Sequence, residues 1–241
     1  MWRPCASTPN KRFYMMSEVA DPFERVKAVV LSCHEGATCQ EKVDFYNSWA
    51  MTYEEDVAVL EYRAPRFAAD TITSHFSGDR EAAVVLDVAC GTGLVAKVLK
   101  NHGFRQFVGI DACEPMLEMA RKKNLYQDLK LTVLGDQPLP FQQETFDVVV
   151  MVGALSIGHV PHVIIRELCK TTKRGGYVCM TTRANQDNLE YKAGLEQEIK
   201  KMEDEGLWTS VAVTLIEQWE RAVSEDEEGY IPGVVYLCQK L

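Results

Sequence analysis

The segment that most constrains the fold of this chain runs from Val84 to Gly103 and reads VVLDVACGTGLVAKVLKNHG. It begins as an apolar, β-branched run and passes through a turn of small residues. It then continues in a helical pattern that places Leu94, Val98 and Leu99 on one face. A strand that leads through a tight turn into a helix is the repeating unit of a parallel sheet covered by helices. The segment therefore predicts an α/β fold.

The rest of the central sequence repeats this alternation of strand and helix. The β-rich runs are Val84–Ala89, Gln106–Asp111, Leu129–Leu134, Phe146–Val152 and Tyr177–Thr182. They are continuous apolar runs, as expected for strands buried on both faces. The helical patterns between them are Leu94 to Gly103, Pro115 to Lys123, and Val160 to Lys173, the last stopped by Gly175 and Gly176. This order predicts a doubly wound, mostly parallel sheet with right-handed crossovers.

Both ends of the chain add to this core. After the fifth run come a helix over about Asn188–Glu205 and two strand-like segments, SVAVTLIEQW and VVYLCQ. No helix separates these two segments, so we expect an antiparallel pair at the edge of a seven-stranded sheet. Residues 17–80 read mainly as helices and predict an N-terminal helical cap on a core of residues 81–241. We expect residues 17–241 to form one domain and residues 1–16 a disordered extension.

Composition limits the classes of partner and compartment. The 241 residues carry a net charge of −9, with 35 acidic and 26 basic side chains. This balance repels phosphate backbones, so we expect no nucleic-acid substrate. No apolar stretch reaches the roughly 20 residues of a membrane span. We therefore expect no membrane partner, and a monomer that acts on a small molecule or a protein.

Cysteine usage points to a reducing compartment. The eight cysteines form no C-x-x-C pair and no Cys/His cluster with zinc spacing. We therefore expect no metal site, and reduced thiols in the cytoplasm or nucleus. Residues 1–16 contain basic side chains and no acidic one, which leaves mitochondrial import as the alternative.

The glycine turn fits two kinds of adenosine-containing ligand. Gly91 to Ala96 satisfies the dinucleotide pattern G-x-G-x-x-G/A, and Asp111 lies 20 residues beyond Gly91, where a ribose-binding carboxylate is expected. Asp87, however, would place a negative charge beside a pyrophosphate. The same carboxylate suits S-adenosylmethionine, which carries an ammonium and a sulfonium and no phosphate. A Walker loop is excluded, because no Gly-Lys-Ser/Thr follows the turn.

Four segments taken together resemble the class I S-adenosylmethionine-dependent methyltransferases. They are LDVACGTGLVA, VGIDACEPMLEMA, GDQPLPFQQETFDVVV and KRGGYVCMTT, and their order and spacing agree with that family over about residues 40–185. The resemblance implies a Rossmann-like fold, S-adenosylmethionine as the cofactor and S-adenosylhomocysteine as the product. It does not identify the methyl acceptor.

The resemblance also implies roles for individual residues. Those that would hold the methionine part are Asp87, Ala89, Gly91 and Gly93. Asp111 would accept hydrogen bonds from both ribose hydroxyls, although a residue that ends a strand before a helix is also a candidate helix N-cap. Those expected around the adenine and beneath the cofactor are Ala112, Met116, Asp136, Gln137 and Val152.

An aromatic segment precedes the sheet and allows two interpretations. Tyr46, Trp49 and Tyr53 are spaced i, i+3, i+7, which is typical of a stripe in a helical core. In related methyltransferases this segment closes over the cofactor and orients the acceptor. A tyrosine near the position of Tyr53 reaches the methionine carboxylate in those proteins. We favour that role for Tyr53.

The chemistry implied is an SN2 transfer of a methyl group from sulfonium to a nucleophile. Because a sulfonium is already activated, alignment and exclusion of water can do most of the catalysis. If a general base exists, His159 is the candidate, against the simpler interpretation of a surface loop histidine. The candidates for orienting the acceptor after the fifth strand are Thr181, Arg183 and Asn185. Arg183 would bind an acidic acceptor bidentately.

The absence of several known motifs limits the class of methyl acceptor. VGALS stands after the fourth strand, where enzymes that methylate amino groups of adenine or glutamine carry Asn/Asp-Pro-Pro-Tyr/Phe. Pro-Cys and paired glutamates are absent there as well. We therefore expect a small-molecule acceptor first and a protein acceptor second. Two alternatives remain: a cofactor-binding protein without catalysis, and an NAD-dependent oxidoreductase.

Overall fold

The fold is seen in a computed structural model that describes residues 21–34, 39–135, 137–224 and 226–241. Eight helices occur in the described ranges: α1 Pro22–His34, α2 Cys39–Trp49, α3 Tyr53–Val59, α4 Ala64–His75, α5 Leu94–Asn101, α6 Glu114–Lys122, α7 Ile165–Thr171 and α8 Leu189–Asp204. The strands are β1 Val84–Val88, β2 Gln106–Asp111, β3 Asp128–Leu131, β4 Phe146–Met151, β5 Thr172–Arg183, β6 Trp208–Arg221 and β7 Tyr230–Lys240. The extension over residues 1–16 lies outside these ranges.

The strands form one seven-stranded sheet in the order β3-β2-β1-β4-β5-β7-β6. The pairs from β3 through β5 are parallel, whereas β7 is antiparallel to both β5 and β6. The predicted doubly wound sheet with an antiparallel pair at its edge is confirmed. Its strand order reverses beside β1, and in such sheets ligands bind at the carboxyl ends of the strands near that point.

Helices cover both faces of the sheet, which explains the continuous apolar strands. On one face, α7 and α8 bury residues such as Leu168 and Leu195 against Met151 and Met180. On the other face, α4 and α5 pack against β1, β4 and β5. Because α4 packs on the sheet itself, the cap proper consists of α1, α2 and α3, which have a small core of their own. The extent of the domain, and its boundary near residue 80, stay predictions.

Several element boundaries differ from the sequence prediction, and two of the differences have a clear local cause. The strand expected at Leu129–Leu134 ends at Leu131, because β3 is an edge strand that pairs only with β2. The helix expected to run to Lys173 ends at Thr171, and Gly175 and Gly176 lie inside β5. The hydroxyls of Thr171 and Thr172 donate to the Leu168 carbonyl and close the helix before the glycines are reached.

The described cysteine side chains behave as small apolar residues. Those that are buried and unpaired are Cys90, Cys113, Cys169, Cys179 and Cys238. Burial raises the pKa of the Cys113 thiol to about 11, so this thiol stays protonated and unreactive near neutral pH. The side chains of Cys5, Cys33 and Cys39 lie outside the described residues. None of the helices in the described ranges combines the length and apolarity needed to cross a bilayer.

Candidate active site

The turn between β1 and α5 has the backbone shape of a ligand cradle. Ala89, Gly91 and Gly93 all have positive φ angles, of 56°, 53° and 87°. A Cβ atom on Gly93 would lie 2.9 Å from the Tyr126 ring, so the chain approaches that ring too closely for a side chain. A Cβ atom on Gly91 would instead enter open space. The turn thus keeps its outer surface clear for a bound group.

Asp111 connects this turn to the next strand. Its Oδ2 accepts the Gly91 N–H at 2.8 Å, and its Oδ1 accepts the Cys113 N–H at 2.9 Å. The N-cap of α6 is Cys113, so Asp111 itself is not the cap residue. Burial raises the pKa of Asp111, partly offset by these N–H bonds. The Ala112 N–H also bonds to this carboxylate, and Asp111 lines the cleft, where the carboxylate can accept a further hydrogen bond from a ligand.

Asp87 lies behind the turn. It is 1% exposed, and the Tyr126 hydroxyl donates to its Oδ2 at 2.7 Å. Burial, with the nearby charge of Asp111, raises the pKa of Asp87 to about 7 despite that hydrogen bond. Asp87 is therefore not the permanent negative charge that the sequence suggests, and its role toward a ligand stays a prediction.

A cleft of about 880 Å³ opens above this turn, between the carboxyl ends of the strands and the cap. The predicted site residues that line it are Tyr46, Tyr53, Ala89, Gly91, Asp111, Ala112, Met116, Val152 and His159. Those that do not line it are Trp49, Asp87, Gly93, Gln137, Thr181, Arg183 and Asn185, and of these Gln137 is exposed. Asp136 lies outside the described residues.

Of the three residues in the aromatic segment, one belongs to the core of the cap and two line the cleft. Trp49 is buried, and its indole N–H donates to Asp56 Oδ2 at 2.7 Å, as expected for a core residue. Tyr46 and Tyr53 line the cleft, as expected for a lid. Among the described residues the Tyr53 hydroxyl has no hydrogen-bond partner, and burial raises its pKa, so it is a neutral donor. Both sequence interpretations therefore apply, to different residues.

The end of β5 holds the loop that follows β4. Thr181 Oγ1 accepts the Gly153 N–H at 3.0 Å, and the Thr182 hydroxyl donates to the Leu155 carbonyl at 2.6 Å. Asn188 Oδ1 accepts the Ile157 N–H at 2.9 Å. Thr181 is fully buried by this contact, so it supports the loop and does not face an acceptor.

Arg183 has a carboxylate partner within the chain. Its Nε lies 2.7 Å from Oε1 of Glu220, whose side chain is 5% exposed. The charge of Glu220 raises the pKa of Arg183. An acidic acceptor would have to compete with Glu220 for the guanidinium, so the expected bidentate binding by Arg183 stays a prediction. Asn185 lies nearby, and its Nδ2 is 3.4 Å from Glu227 Oε2.

His159 lies in the loop after β4, is half-buried and lines the cleft. Its Nδ1 lies 3.0 Å from Ser156 Oγ and 3.2 Å from the Ile157 carbonyl, and its Nε2 lies 3.1 Å from the Tyr46 hydroxyl. A carbonyl only accepts hydrogen bonds, so these contacts assign the proton to Nδ1. Nε2 is then left as an acceptor of the Tyr46 O–H.

Sequence and structure comparisons place the chain among known proteins. A family model described as a methyltransferase domain matches residues 86–180. Methyltransferase-like protein 27 of Homo sapiens is 47% identical over 194 residues, which cover 80% of this chain and 79% of that protein. The chain belongs to the methyltransferase family.

Other similarities to this methyltransferase are partial or structural. The ubiquinone/menaquinone biosynthesis C-methyltransferase UbiE of Rickettsia massiliae is 34% identical over 108 residues, covering 40% of this chain and 43% of that protein. A methyltransferase bound to the Trm112 methyltransferase activator of Haloferax volcanii superposes with a TM-score of 0.60 at 16% identity, covering 81% of this chain and 97% of that chain. The structural likeness confirms the predicted Rossmann-like fold.

Several side chains of the methyltransferase site escaped the sequence analysis. Those that line the cleft or support its residues are Lys42, Tyr62, Tyr126, Leu134, Ser156 and Glu220. Of these residues, Glu220 was the easiest to identify from the sequence, because it is an acidic residue that directly follows the apolar segment SVAVTLIEQW. A buried acid in such a position needs a partner.

Proposed function

We propose that this methyltransferase binds S-adenosylmethionine in the cleft, releases S-adenosylhomocysteine and transfers the methyl group to an unidentified small-molecule acceptor. The observation that carries the proposal is the position of Asp111. It joins the glycine turn to β2 and lines the cleft, where its carboxylate can accept hydrogen bonds from hydroxyl groups of a ligand. Ribose hydroxyls are donors of this kind.

The residues around Asp111 fit the remaining parts of the cofactor. Ala112, Met116 and Leu134 supply an apolar surface for an adenine. The open space at Gly91 leaves room for the methionine part, and the Tyr53 hydroxyl is a donor for its carboxylate. When bound, the cofactor would supply a methyl group that a sulfonium already activates. The protein then has to align the acceptor and exclude water.

The cap and the loop after β4 can enclose the acceptor and exclude water from the cleft. Tyr46 and Tyr53 cover the cleft from the cap side, and Gly153 and His159 form its opposite wall. A nucleophile that enters between these walls meets the carboxyl end of β4, which is held in place by Thr181. We assign no catalytic role to Asn185, and His159 is the candidate base.

A small molecule is favoured over other acceptors. The net charge of −9 opposes nucleic acid, and relatives such as the quinone-biosynthesis enzyme of Rickettsia carry names that refer to small molecules. A protein acceptor is the second choice. We also propose a monomer in the cytoplasm or nucleus.

Two other functions remain as competitors. A cofactor-binding protein without catalysis would share every feature of the cleft. An NAD-dependent oxidoreductase is less opposed by Asp87 than its sequence position suggests, because the pKa of that carboxyl is raised to about 7. Membership of the methyltransferase family favours S-adenosylmethionine over NAD.

Methyl transfer is tested with S-adenosylmethionine labelled in its methyl group. The protein is incubated with cell extract separated by size into small-molecule and protein fractions, and Asp111→Ala serves as the inactive control. We expect label in an extractable small compound with the wild type alone. Label in protein instead would select the second acceptor class. Cofactor binding without label in either fraction would select the protein without catalysis.

A further inference from the structure

One end of the cap is joined to the sheet through the backbone. The connection between α3 and α4 lies along β6, where the Arg63 N–H donates to the Trp219 carbonyl at 3.1 Å and the Arg221 N–H donates to the Leu60 carbonyl at 2.8 Å. Leu60 and Trp219 are both buried. This end of the cap is therefore fixed, and an opening movement of the cap would turn about it.

Away from this fixed end, the cap packs on the start of α6. Ala50, from the turn between α2 and α3, lies in one buried cluster with Cys113 and Met116, and Tyr53 packs against that cluster. Met116 and Tyr53 also line the cleft. A cofactor in the cleft would lie beside this contact, and separating the cap from α6 would uncover it. The inference therefore rests on the proposed function.

An ion pair joins the cap to the other end of α6. The Lys123 ammonium donates to Oε1 of Glu54, and the two side chains are 20% and 32% exposed. Glu54 lies in the first turn of α3, and Lys123 is the C-cap of α6. A helix stabilises an acid at its N-terminus and a cation at its C-terminus. Each charge is thus stabilised by its own helix as well as by the opposite charge.

The core also stabilises the charge of Glu54 from two other elements. Burial alone would raise the pKa of Glu54, but Lys123, helped by Thr92 and Lys97, lowers it. Thr92 belongs to the glycine turn, and Lys97 belongs to α5. Glu54 directly follows Tyr53, which faces the cleft. The position of Tyr53 therefore depends on a cap carboxylate that the core keeps ionised.

A second polar contact between cap and core is weaker. The Tyr46 hydroxyl lies 3.1 Å from Nε2 of His159, and neither group is charged in the tautomer assigned above. Hydrogen bonds with an ionised partner are roughly twice as strong as those between neutral groups. Neither Glu54 nor Lys123 is more than a third exposed, so solvent screens their attraction only in part. The ion pair is the stronger of the two contacts.

We propose that Glu54 and Lys123 are positioning residues that keep the cap closed over the cofactor, and that separation of this ion pair sets the rate at which S-adenosylhomocysteine leaves. The pair touches no reacting atom. It acts through Tyr53 and Ala50, which it holds against the cleft and α6. Release of product limits turnover in many enzymes with closing segments, so a contact outside the chemistry can control the rate.

Opening of the cap is tested first, without cofactor, by alkylation of Cys113 with iodoacetamide and mass analysis of its peptide. We expect Glu54→Gln to speed this reaction by about 3- to 10-fold, because the cap covers the thiol. Cys169, buried under α7 on one face of the sheet, is the internal reference and should react as in wild type. Glu55→Gln is the matched control, because Glu55 is the exposed neighbour. Equal alkylation of Cys113 in wild type and Glu54→Gln would overturn the proposal.

Hydrogen exchange shows whether the cap opens as a unit. The amides within α2 and α3 should exchange no faster in Glu54→Gln than in wild type, because opening as a unit keeps each helix intact. Faster exchange inside these helices would mean that the cap melts, and would contradict the proposal.

Release is tested next with S-adenosylhomocysteine in stopped-flow dissociation. Glu54→Gln and Lys123→Gln should each speed release by about 3- to 10-fold. The double variant should be no faster than either single variant, because both changes remove the same interaction. Raising the salt concentration from about 0.02 M to about 0.5 M should speed release from the wild type alone, because ions screen the pair. Additive effects of the two changes, or the same salt response in all variants, would overturn the proposal.

The two levels of the account fail in different ways. Normal binding of S-adenosylhomocysteine with unchanged release in the variants would refute the role of the ion pair and leave the proposed function standing. Failure of the wild type to bind S-adenosylhomocysteine would refute the proposed function, and with it the role of the pair in release.

Discussion

At the scale of single residues, the charge of the site depends on where two carboxylates are buried. Asp111 stays in contact with the cleft, whereas Asp87 is sealed beneath the turn by Tyr126. Burial raises the pKa of both, and that of Asp87 reaches about 7. Asp111 therefore offers hydrogen-bond acceptors to a ligand. Asp87 offers a charge that depends on pH and on the ligand.

Replacing Asp87 by Asn is expected to stabilise the protein without cofactor at pH 8. The carboxyl has a pKa of about 7 when folded, against a model value of 3.8, so folding favours its protonated form. The stabilisation from this protonated carboxyl is complete below the pKa of the unfolded chain and is lost as pH rises through 7. The neutral amide avoids the cost of burying the charge, on the order of 2–4 kcal/mol. Urea unfolding should show the gain at pH 8 and little difference at pH 4; a less stable variant at pH 8 would contradict this.

Replacing Asp111 by Ala should remove most of the affinity for S-adenosylmethionine. Two hydrogen bonds from ribose hydroxyls to a carboxylate contribute about 2–4 kcal/mol together, or tens-fold to several hundred-fold in Kd. Asp128→Ala is the matched control, because it lies half-exposed at the opposite end of the neighbouring strand. Equal affinities of the two variants, measured by calorimetry, would count against the ribose role.

At the scale of elements, the sequence predicted the strands and the turn far better than the contacts between them. The alternation of apolar runs and helices is local, so it can be read along the chain. The contact of Tyr46 with His159 joins residues 113 positions apart, and that of Tyr126 with Asp87 joins residues 39 apart. Only the strand order and the docking of the cap create such contacts. For this reason the contacts of His159 with Tyr46 and of Arg183 with Glu220 could not be predicted from their positions in the sequence.

The cap helices are held together by one buried carboxylate, Asp56 in α3. It accepts hydrogen bonds from Arg25 at 2.6 Å, Trp49 at 2.7 Å and Thr52 at 2.9 Å. Burial alone would raise the pKa of Asp56, but these donors outweigh it and lower the pKa. The cap core therefore depends on an ionised acid.

Asp56→Ala is expected to destabilise the cap. Removing this acceptor costs about 1–3 kcal/mol, because the buried Trp49 indole N–H loses its partner, whereas the half-exposed Arg25 can be solvated. Hydrogen exchange should show faster opening of α2 and α3, while β4 and β5 stay protected. Asp70→Ala, at an exposed ion pair with Arg66, should change stability by less than about 1 kcal/mol. Unaltered exchange in α2 and α3 of Asp56→Ala would be incompatible with this account of the cap.

At the scale of the whole molecule, the sheet order decides where ligands bind. Helices cover both faces of the described sheet, so its open side is the carboxyl edge beside β1. The cap lies above that edge. The sequence predicted this edge from the glycine turn and Asp111. It did not predict the contact between the cap and the β4 loop, because that contact joins residues far apart in the sequence.

The most direct test is calorimetric titration of the purified protein with S-adenosylmethionine, S-adenosylhomocysteine and NAD⁺ in parallel. The fold accommodates any adenosine-containing ligand at this edge, so the choice among them rests on Asp111, the turn and family membership. The account predicts that both S-adenosyl compounds bind and that NAD⁺ does not. Binding of NAD⁺ alone would contradict the central claim and assign the cleft to a dinucleotide.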